Sequence, residues 1–342
     1  MRRLRFLALH SARTIKGNTL SETILPTGYF THDLTQLANP IEGAPENPER
    51  LNSIELMMMA MGWGDQLKQQ YAHEAKVEWV ALAHDRAYID DLALASAGNT
   101  EALRRWQEVD TPVGPLSYRA ALKSVGAVLE AIDAVMSREL QNAFCAVRPP
   151  GHHASRASGG GFCYFNNAAI GALYAQQRWG LTRIAVLDYD VHHGDGTEDI
   201  LGNRPGFQYY SLFQWPLYPS RLKDETPANV IRTPLEVGSG GEKLREVVEH
   251  VWLPGLEAFH PELVILSSGF DAHSEDGMAQ LKVDESDFAY LTRRVMDAAE
   301  VCCQGRIVSV LEGGYSLRSL SRSVVSHVGT LMQRTPSVKE SA

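Results

Sequence analysis

Cysteine is scarce in this chain, and none of it is spaced for a metal site. The 342 residues include four cysteines, Cys145, Cys163, Cys302 and Cys303. No CxxC occurs among them, so neither a cysteine-bound zinc nor a disulfide framework is indicated. They sit mostly in apolar stretches, as reduced core residues do, and this fits a cytoplasmic protein. Also missing is any run of the roughly 18 apolar residues that a membrane span requires, so no membrane partner is expected. The basic start MRRLRFLALHSART has the look of a leader. Its apolar run, Phe6 to Leu9, is shorter than the roughly 7–15 residues of a signal-peptide core, and it reads as a first strand. There is no excess of positive charge either. A formal net charge of −9 argues against nucleic acid as a partner and leans toward a cationic substrate. Repeats and low-complexity segments are lacking, and 44% hydrophobic with 21% charged residues is a globular composition.

What the chain does have is alternation. Short β-rich runs, AFCAV (143–147), RIAVLDYD (183–190), FQYYSL (207–212), LVILSSGF (263–270) and RIVSVLEG (306–313), recur between helical patterns such as Asn167 to Trp179 and Glu242 to Phe259. The runs are apolar on both faces, which suits parallel strands covered by helices. The order predicts an α/β protein with an open parallel sheet. Ligands of such sheets bind beyond the carboxyl ends of the strands. Here those ends lead into RPPGHH, DYDVHHGDG, SLFQWP, GFDAH and EGGY, five polar or glycine-rich loops that would converge on one rim.

The stretch LDYDVHHGDG, 187–196, holds three aspartates and two histidines after an apolar run. Burying them is expensive unless they pair or bind a metal. Asp190 and His192 alternate and so share a face, and Asp271, just past the next long apolar strand, is available as a third ligand. One nitrogen and two oxygens make a three-ligand zinc site with open positions; iron accepts the same donors. One such residue alone would more often be a hydrogen-bonding group at a strand end, whereas a matched set points to a metal. In RPPGHHAS, 148–155, His152 and His153 sit on a rigid loop and exchange protons near neutral pH. Asp188 and Asp195 on the facing loop are available to fix their tautomers. In EGGYSL, 312–317, two glycines let the backbone approach a ligand, and Tyr315 can aim its hydroxyl at a developing oxyanion. The alternative there is a helix-entry turn with a core tyrosine.

Taken together, RPPGHH, GGGFCYFNN, LDYDVHHGDGT, SSGFDAH and EGGY resemble the zinc-dependent histone deacetylase and acetylpolyamine amidohydrolase family. The resemblance runs from PENPERL at 45–51 to Tyr315 and the helix after it. It implies the arginase–deacetylase fold, a central parallel sheet of about eight strands flanked by helices, with residues 1–342 forming one deacetylase domain. It implies that Asp190, His192 and Asp271 bind Zn2+, with Fe2+ as the other metal the donors accept. His153 would then be the general base and later the general acid, oriented by Asp195. His152, paired with Asp188, would act electrostatically, and Tyr315 would polarise the acyl carbonyl. Family members also hold a structural K+, which here would take Asp188 and Ser211 with backbone oxygens of Asp190, His192 and Leu212. Gly161, Phe162 and Tyr218 would line the substrate tunnel, Asp110 would hold substrate amides at the rim, and Arg50 matches an arginine near the tunnel's inner end.

The chain departs from the family pattern at Ala44, Glu312 and Gly277, where relatives often have histidine, glycine and proline; the last two changes are expected to alter the rim. An acetylated amine is the implied substrate. The carboxylates Glu108, Asp110, Glu275 and Asp276 favour an acetylpolyamine. Met278, where some polyamine-selective relatives place an acidic gatekeeper, tips the expectation to acetyl-lysine-type substrates, with an acetylpolyamine as the alternative. An arginase-like ureohydrolase would need a manganese pair and a DAHxD motif, and GFDAH continues here as SED. A non-catalytic acyl-binding module would not need the full set of bases, ligands and tyrosine. A homo-oligomer is compatible with all of these readings.

Overall fold

All five apolar runs form strands, and these five lie side by side. The computed structural model describes residues 25–38, 43–106 and 110–333; the strand expected at Phe6 to Leu9 and the side chain of Glu108 fall outside them. The strands are β1 (Thr27–Thr31), β2 (Lys68–Tyr71), β3 (Asn142–Cys145), β4 (Ile184–Asp188), β5 (Phe207–Gln214), β6 (Val230–Leu235), β7 (Leu263–Ser268) and β8 (Ile307–Leu311). They form one eight-stranded sheet in the order β2-β1-β3-β8-β7-β4-β5-β6, with every pairing parallel. The five expected strands are the contiguous block β3-β8-β7-β4-β5. Because all run the same way, their carboxyl-terminal loops are neighbours on one edge of the sheet. That adjacency builds the site.

The three strands not foreseen have physical reasons for being quiet. In β2, KQQY, all four residues are exposed; as an edge strand it carries no buried apolar face. The other edge, β6, is mostly half-buried. The short β1, TGYFT, is buried but holds two threonines and a glycine, too little apolar run to stand out.

Helices cover both faces. Ser117–Met136 and Asn167–Trp179 pack on one side, and Glu49–Ala60, Glu285–Cys303 and Leu317–Leu331 on the other. The expected helix Asn167–Trp179 starts where the Asn166 side chain accepts from Ala169 N, satisfying an otherwise orphaned donor. The expected helix Glu242 to Phe259 forms in three consecutive pieces, Gly241–Val247, a π-helical turn Val248–Trp252, and Leu253–Phe259. Pro254 has no N–H to return to the turn before it, and the helix widens there.

His327, on the last helix, packs beneath the sheet. Its Nδ1 lies 2.7 Å from Thr292 Oγ1 and its Nε2 2.8 Å from Ser309 Oγ on β8. Burial pushes its pKa down from 6.5 to about 3. The folded state thus holds it neutral, while the unfolded chain takes up a proton near the ordinary value, so stability is lost as pH falls below about 6.5. At ~1.4 kcal/mol per pKa unit, this group should cost about 2 kcal/mol between about pH 7 and pH 5. Urea unfolding at the two pH values measures it, and His327→Gln should flatten the pH dependence by that amount.

Candidate metal centre and active site

Strand β4 ends at Asp188, two residues before Asp190, so the turn rather than the strand presents the expected ligand pair. Asp271 arrives from the loop after β7. Ligand atoms of Asp190, His192 and Asp271 all lie within 4.8 Å of one another, and all three residues are buried. His192 Nδ1 is 2.9 Å from Asp190 Oδ1 and 3.2 Å from Asp271 Oδ2. Backbone donors fix both carboxylates. Asp190 Oδ2 accepts from Gly313 N at 2.8 Å, and Asp271 Oδ1 accepts from Val191 N at 3.0 Å. Asp271 Oδ2 is buried without a hydrogen-bond partner. Burial and the neighbouring Asp190 carboxylate push the Asp271 carboxyl up to about 6. Burial also opposes a charged His192, yet its hydrogen bond to Asp190 and the nearby Asp271 carboxylate prevail and hold it at about 10. Two buried carboxylates thus demand a cation between them. An orphaned oxygen, one imidazole and two convergent carboxylates are donors that suit a metal ion.

The histidine pair stands beside this cluster, with ring centroids 4.0 Å apart. His152 Nδ1 is 3.1 Å from Asp188 Oδ2, and His153 Nδ1 is 2.8 Å from Asp195 Oδ1. Burial lowers His153 to about 4, the neighbouring His152 adds to this, and Asp195 only partly opposes it. A His153 that donates Nδ1–H to Asp195 leaves Nε2 a free base at neutral pH. Burial works against a charge on His152 as well, but the Asp190 and Asp188 carboxylates outweigh it and raise its pKa. Two adjacent histidines are therefore pushed in opposite directions, as a division of acid–base labour requires.

Tyr315 is half-buried, and desolvation drives its phenol well above the ordinary value, so it remains an O–H donor. The Arg50 guanidinium lies 4.9 Å from the centroid of its ring, and Phe162 stands edge-on at 5.9 Å. Tyr218 meets the His153 ring at 4.7 Å and 90°. Gly161, at φ 51°, passes so close that a Cβ would fall 2.3 Å from His153 Cδ2; no side chain fits there. Asp110 Oδ1 accepts from Gly161 N at 2.8 Å, tying the exposed rim carboxylate to that wall. Ser211 faces Asp188 across the β4–β5 register, Leu212 follows it, and Ser211 Oγ is 2.9 Å from His193 Nδ1.

Other residues take parts that sequence reasoning did not assign. Glu312, expected to alter the rim, is instead fully buried. Its Oε2 accepts from Gly151 N at 2.7 Å and His152 N at 3.1 Å, and its Oε1 from Ser267 Oγ at 2.8 Å. Burial lifts its carboxyl to about 7. Asp276, expected as a rim carboxylate, is buried too, and accepts from Tyr315 N at 2.6 Å and Ser316 N at 3.0 Å. Glu275 is paired with Arg322 at 2.8 Å. Gly277 does lie in the open, and Met278 is half-buried with its N–H on Asp276. Tyr209 donates to Asp188 Oδ2 at 2.8 Å. His193 is spent on Ser211 and on Glu198, 3.0 Å away, so among the described residues it supplies no second metal position of the arginase kind. Only a bare polar residue inside an apolar run, such as Glu312 after RIVSVL, hinted at any of this.

Comparison with known proteins agrees with this geometry. The histone deacetylase domain model matches residues 44–331. An uncharacterized protein of Synechocystis sp. is 37% identical over 297 residues, 84% of this chain and 93% of that protein. A histone deacetylase-like amidohydrolase of Pseudomonas aeruginosa is 35% identical over 282 residues, 80% of this chain and 73% of the other. A polyamine deacetylase of Mus musculus is 35% identical over 301 residues, 84% of this chain but 45% of the mouse protein. The crystal structure of the HDA15 HD domain superposes with a TM-score of 0.81 at 28% identity, covering 92% of this chain and 90% of that one. The chain belongs to the histone deacetylase family, has its arginase–deacetylase fold, and is with it a metal-dependent hydrolytic deacetylase.

Two substitutions test how the site is held. A Cβ on Gly313 would fall 2.1 Å from Asp271 Oδ2 and 2.6 Å from Asp190 Oδ2. Gly313→Ala should therefore lose most of its bound metal, by elemental analysis after loading, while circular dichroism stays native. Glu312→Ala strands two buried N–H groups at about 1–3 kcal/mol each. It should unfold at clearly lower urea than Glu312→Gln, which keeps an acceptor for both.

Proposed function

We propose that this protein is a zinc-dependent deacetylase that hydrolyses the acyl amide of acetyl-lysine-type substrates. The observation that carries the reading is the convergence of Asp190, His192 and Asp271 beside a neutral His153 and a protonated Tyr315. Zinc, or iron on the same donors, would lower the pKa of a water and polarise the acyl oxygen. The residues of the chain supply the rest. His153 Nε2 takes the proton of the attacking water and delivers it to the leaving amine. Asp195 holds the tautomer that makes this possible. His152, kept cationic by Asp188, favours the negative charge that develops, and the Tyr315 hydroxyl donates to the acyl oxygen as it becomes an oxyanion. Asp188, Ser211 and Leu212, with the backbone of Asp190 and His192, would hold a structural potassium ion beneath the histidines.

The rim supports the acyl-lysine reading. Asp276 and Glu275 are engaged and Met278 is apolar, so of the expected carboxylates in the described residues only Asp110 stands at the mouth. Asp110 would accept the backbone N–H of a peptide, while Gly161, Phe162 and Tyr218 flank the alkyl chain. A second reading, an acetylated polyamine, draws on that same anionic Asp110 and on the polyamine deacetylase of mouse among the relatives. A single deacetylase domain would carry either activity. A cytoplasmic location accords with four free cysteines and with the lack, among the described residues, of a helix able to cross a membrane.

Zinc-loaded protein should turn over an acetyl-lysine peptide faster than an acetylated polyamine of similar reach. Tyr315→Phe should lower kcat by on the order of 100-fold, as loss of an oxyanion donor does, with the peptide still bound. A faster polyamine would overturn the substrate reading, and turnover of neither would overturn the activity.

A further inference from the structure

A tyrosine that must meet an acyl oxygen needs its ring fixed as well as its backbone. Asp276 holds the backbone N–H of Tyr315, but the loop before it, Gly313-Gly314, has no side chains to steady the ring. Arg50 does that. Its Nε donates to Gly314 O at 2.7 Å and its Nη2 to Glu312 O at 2.5 Å, with the guanidinium against the ring. The remaining Nη1 goes to Glu46 Oε1 at 3.1 Å. Glu46 is in turn gripped by the fork of Arg148, with Nε–Oε1 at 2.5 Å and Nη2–Oε2 at 2.7 Å. Arg148 also donates to the carbonyls of Thr35 and Ala38. Arg50 and Arg148 are 0% and 1% exposed and Glu46 7%, so two buried guanidiniums share one carboxylate.

Such triads are poor stabilisers. The desolvation of three charges roughly cancels their attraction, and apolar replacements are often neutral. What they do well is fix direction, because a guanidinium fork and a carboxylate meet in one plane. Arg148 also lies four residues before His152, on the loop of the histidine pair. We propose that Glu46 is a positioning residue for deacetylation: through Arg50 it sets the direction of the Tyr315 hydroxyl, and through Arg148 it ties that hydroxyl to the histidine loop. This rests on the deacetylase reading of the site, in which Tyr315 meets the acyl oxygen. Glu46 lies outside the Asp190, His192 and Asp271 donor set and reaches Tyr315 through Arg50. Neutral glutamine at 46 would set an amide N–H against a guanidinium N–H and release one arginine.

The test uses zinc-loaded wild type, Glu46→Gln, Tyr315→Phe and the double variant. With an acetyl-lysine peptide, Glu46→Gln should lower kcat on the order of tenfold, the scale of a small misplacement of a reacting group, and leave KM within about twofold. In the Tyr315→Phe background it should lower kcat no further, because the residue it positions has lost its hydroxyl. Binding gives a second readout that needs no turnover. A peptide hydroxamate offers a carbonyl to Tyr315, and the same peptide ending in a thiol does not, so by calorimetry Glu46→Gln should weaken the hydroxamate several-fold and leave the thiol unchanged. Equal weakening of both ligands, or the same kcat loss in both backgrounds, overturns the proposal and leaves Glu46 a structural residue. Should wild type turn over no acyl amide, the deacetylase reading fails by itself and the hydroxamate-to-thiol ratio still decides the relay. If Glu46→Gln does not fold, Arg148→Lys, which keeps the charge and loses the fork, goes through the same two comparisons.

Discussion

Asp190 and Asp271 belong to loops after two neighbouring parallel strands, β4 and β7, and they are buried within reach of one imidazole. Each is anchored by a backbone N–H from another loop, Asp190 by Gly313 after β8 and Asp271 by Val191 after β4. The carboxylates therefore staple three carboxyl-terminal loops together while repelling each other, and a cation between them relieves that repulsion. The protein has given up side chains to keep the space open: Gly269 and Gly313 would each drive a Cβ to within 2.1 Å of an Asp190 or Asp271 carboxylate oxygen. Everything else in the site is arranged around this enforced vacancy of bulk and concentration of charge.

The histidine pair shows the same economy of anchoring. Asp188 closes β4 and serves His152, Tyr209 and the N–H of Asp190 together. Glu312 closes β8 and serves the N–H groups of Gly151 and His152. The loop that carries both histidines is thus fastened from two strands on either side of β7, which is why two imidazoles 4.0 Å apart can differ so much in protonation. One has two carboxylates close by; the other has one, and a cationic neighbour.

The rim follows a different rule. Carboxylates that in the linear chain look free to attract a cationic substrate are in large part consumed by structure: Asp276 holds the tyrosine backbone and Glu275 an arginine. Net charge alone therefore overstates how many of these carboxylates are left unengaged.

Strands buried on both faces, the two polar clusters LDYDVHHGDG and RPPGHH, and the order of the five loops were legible in the sequence. Burial writes continuous apolar runs, and costly polar groups at their ends must have partners. The sequence alone determined the parallel α/β class and singled out the polar residues that meet beyond the strand ends, for the same reason. Edge strand β2 was not legible, because an exposed strand has no pattern to bury. The anchoring roles of Glu312, Asp276 and Glu46 were decided only by tertiary structure. Each acts on backbone or side chains far along the chain, 160 residues from Glu312 to His152 and 102 from Glu46 to Arg148, and a carboxylate carries no mark of its distant partner until folding removes the water that would otherwise satisfy it.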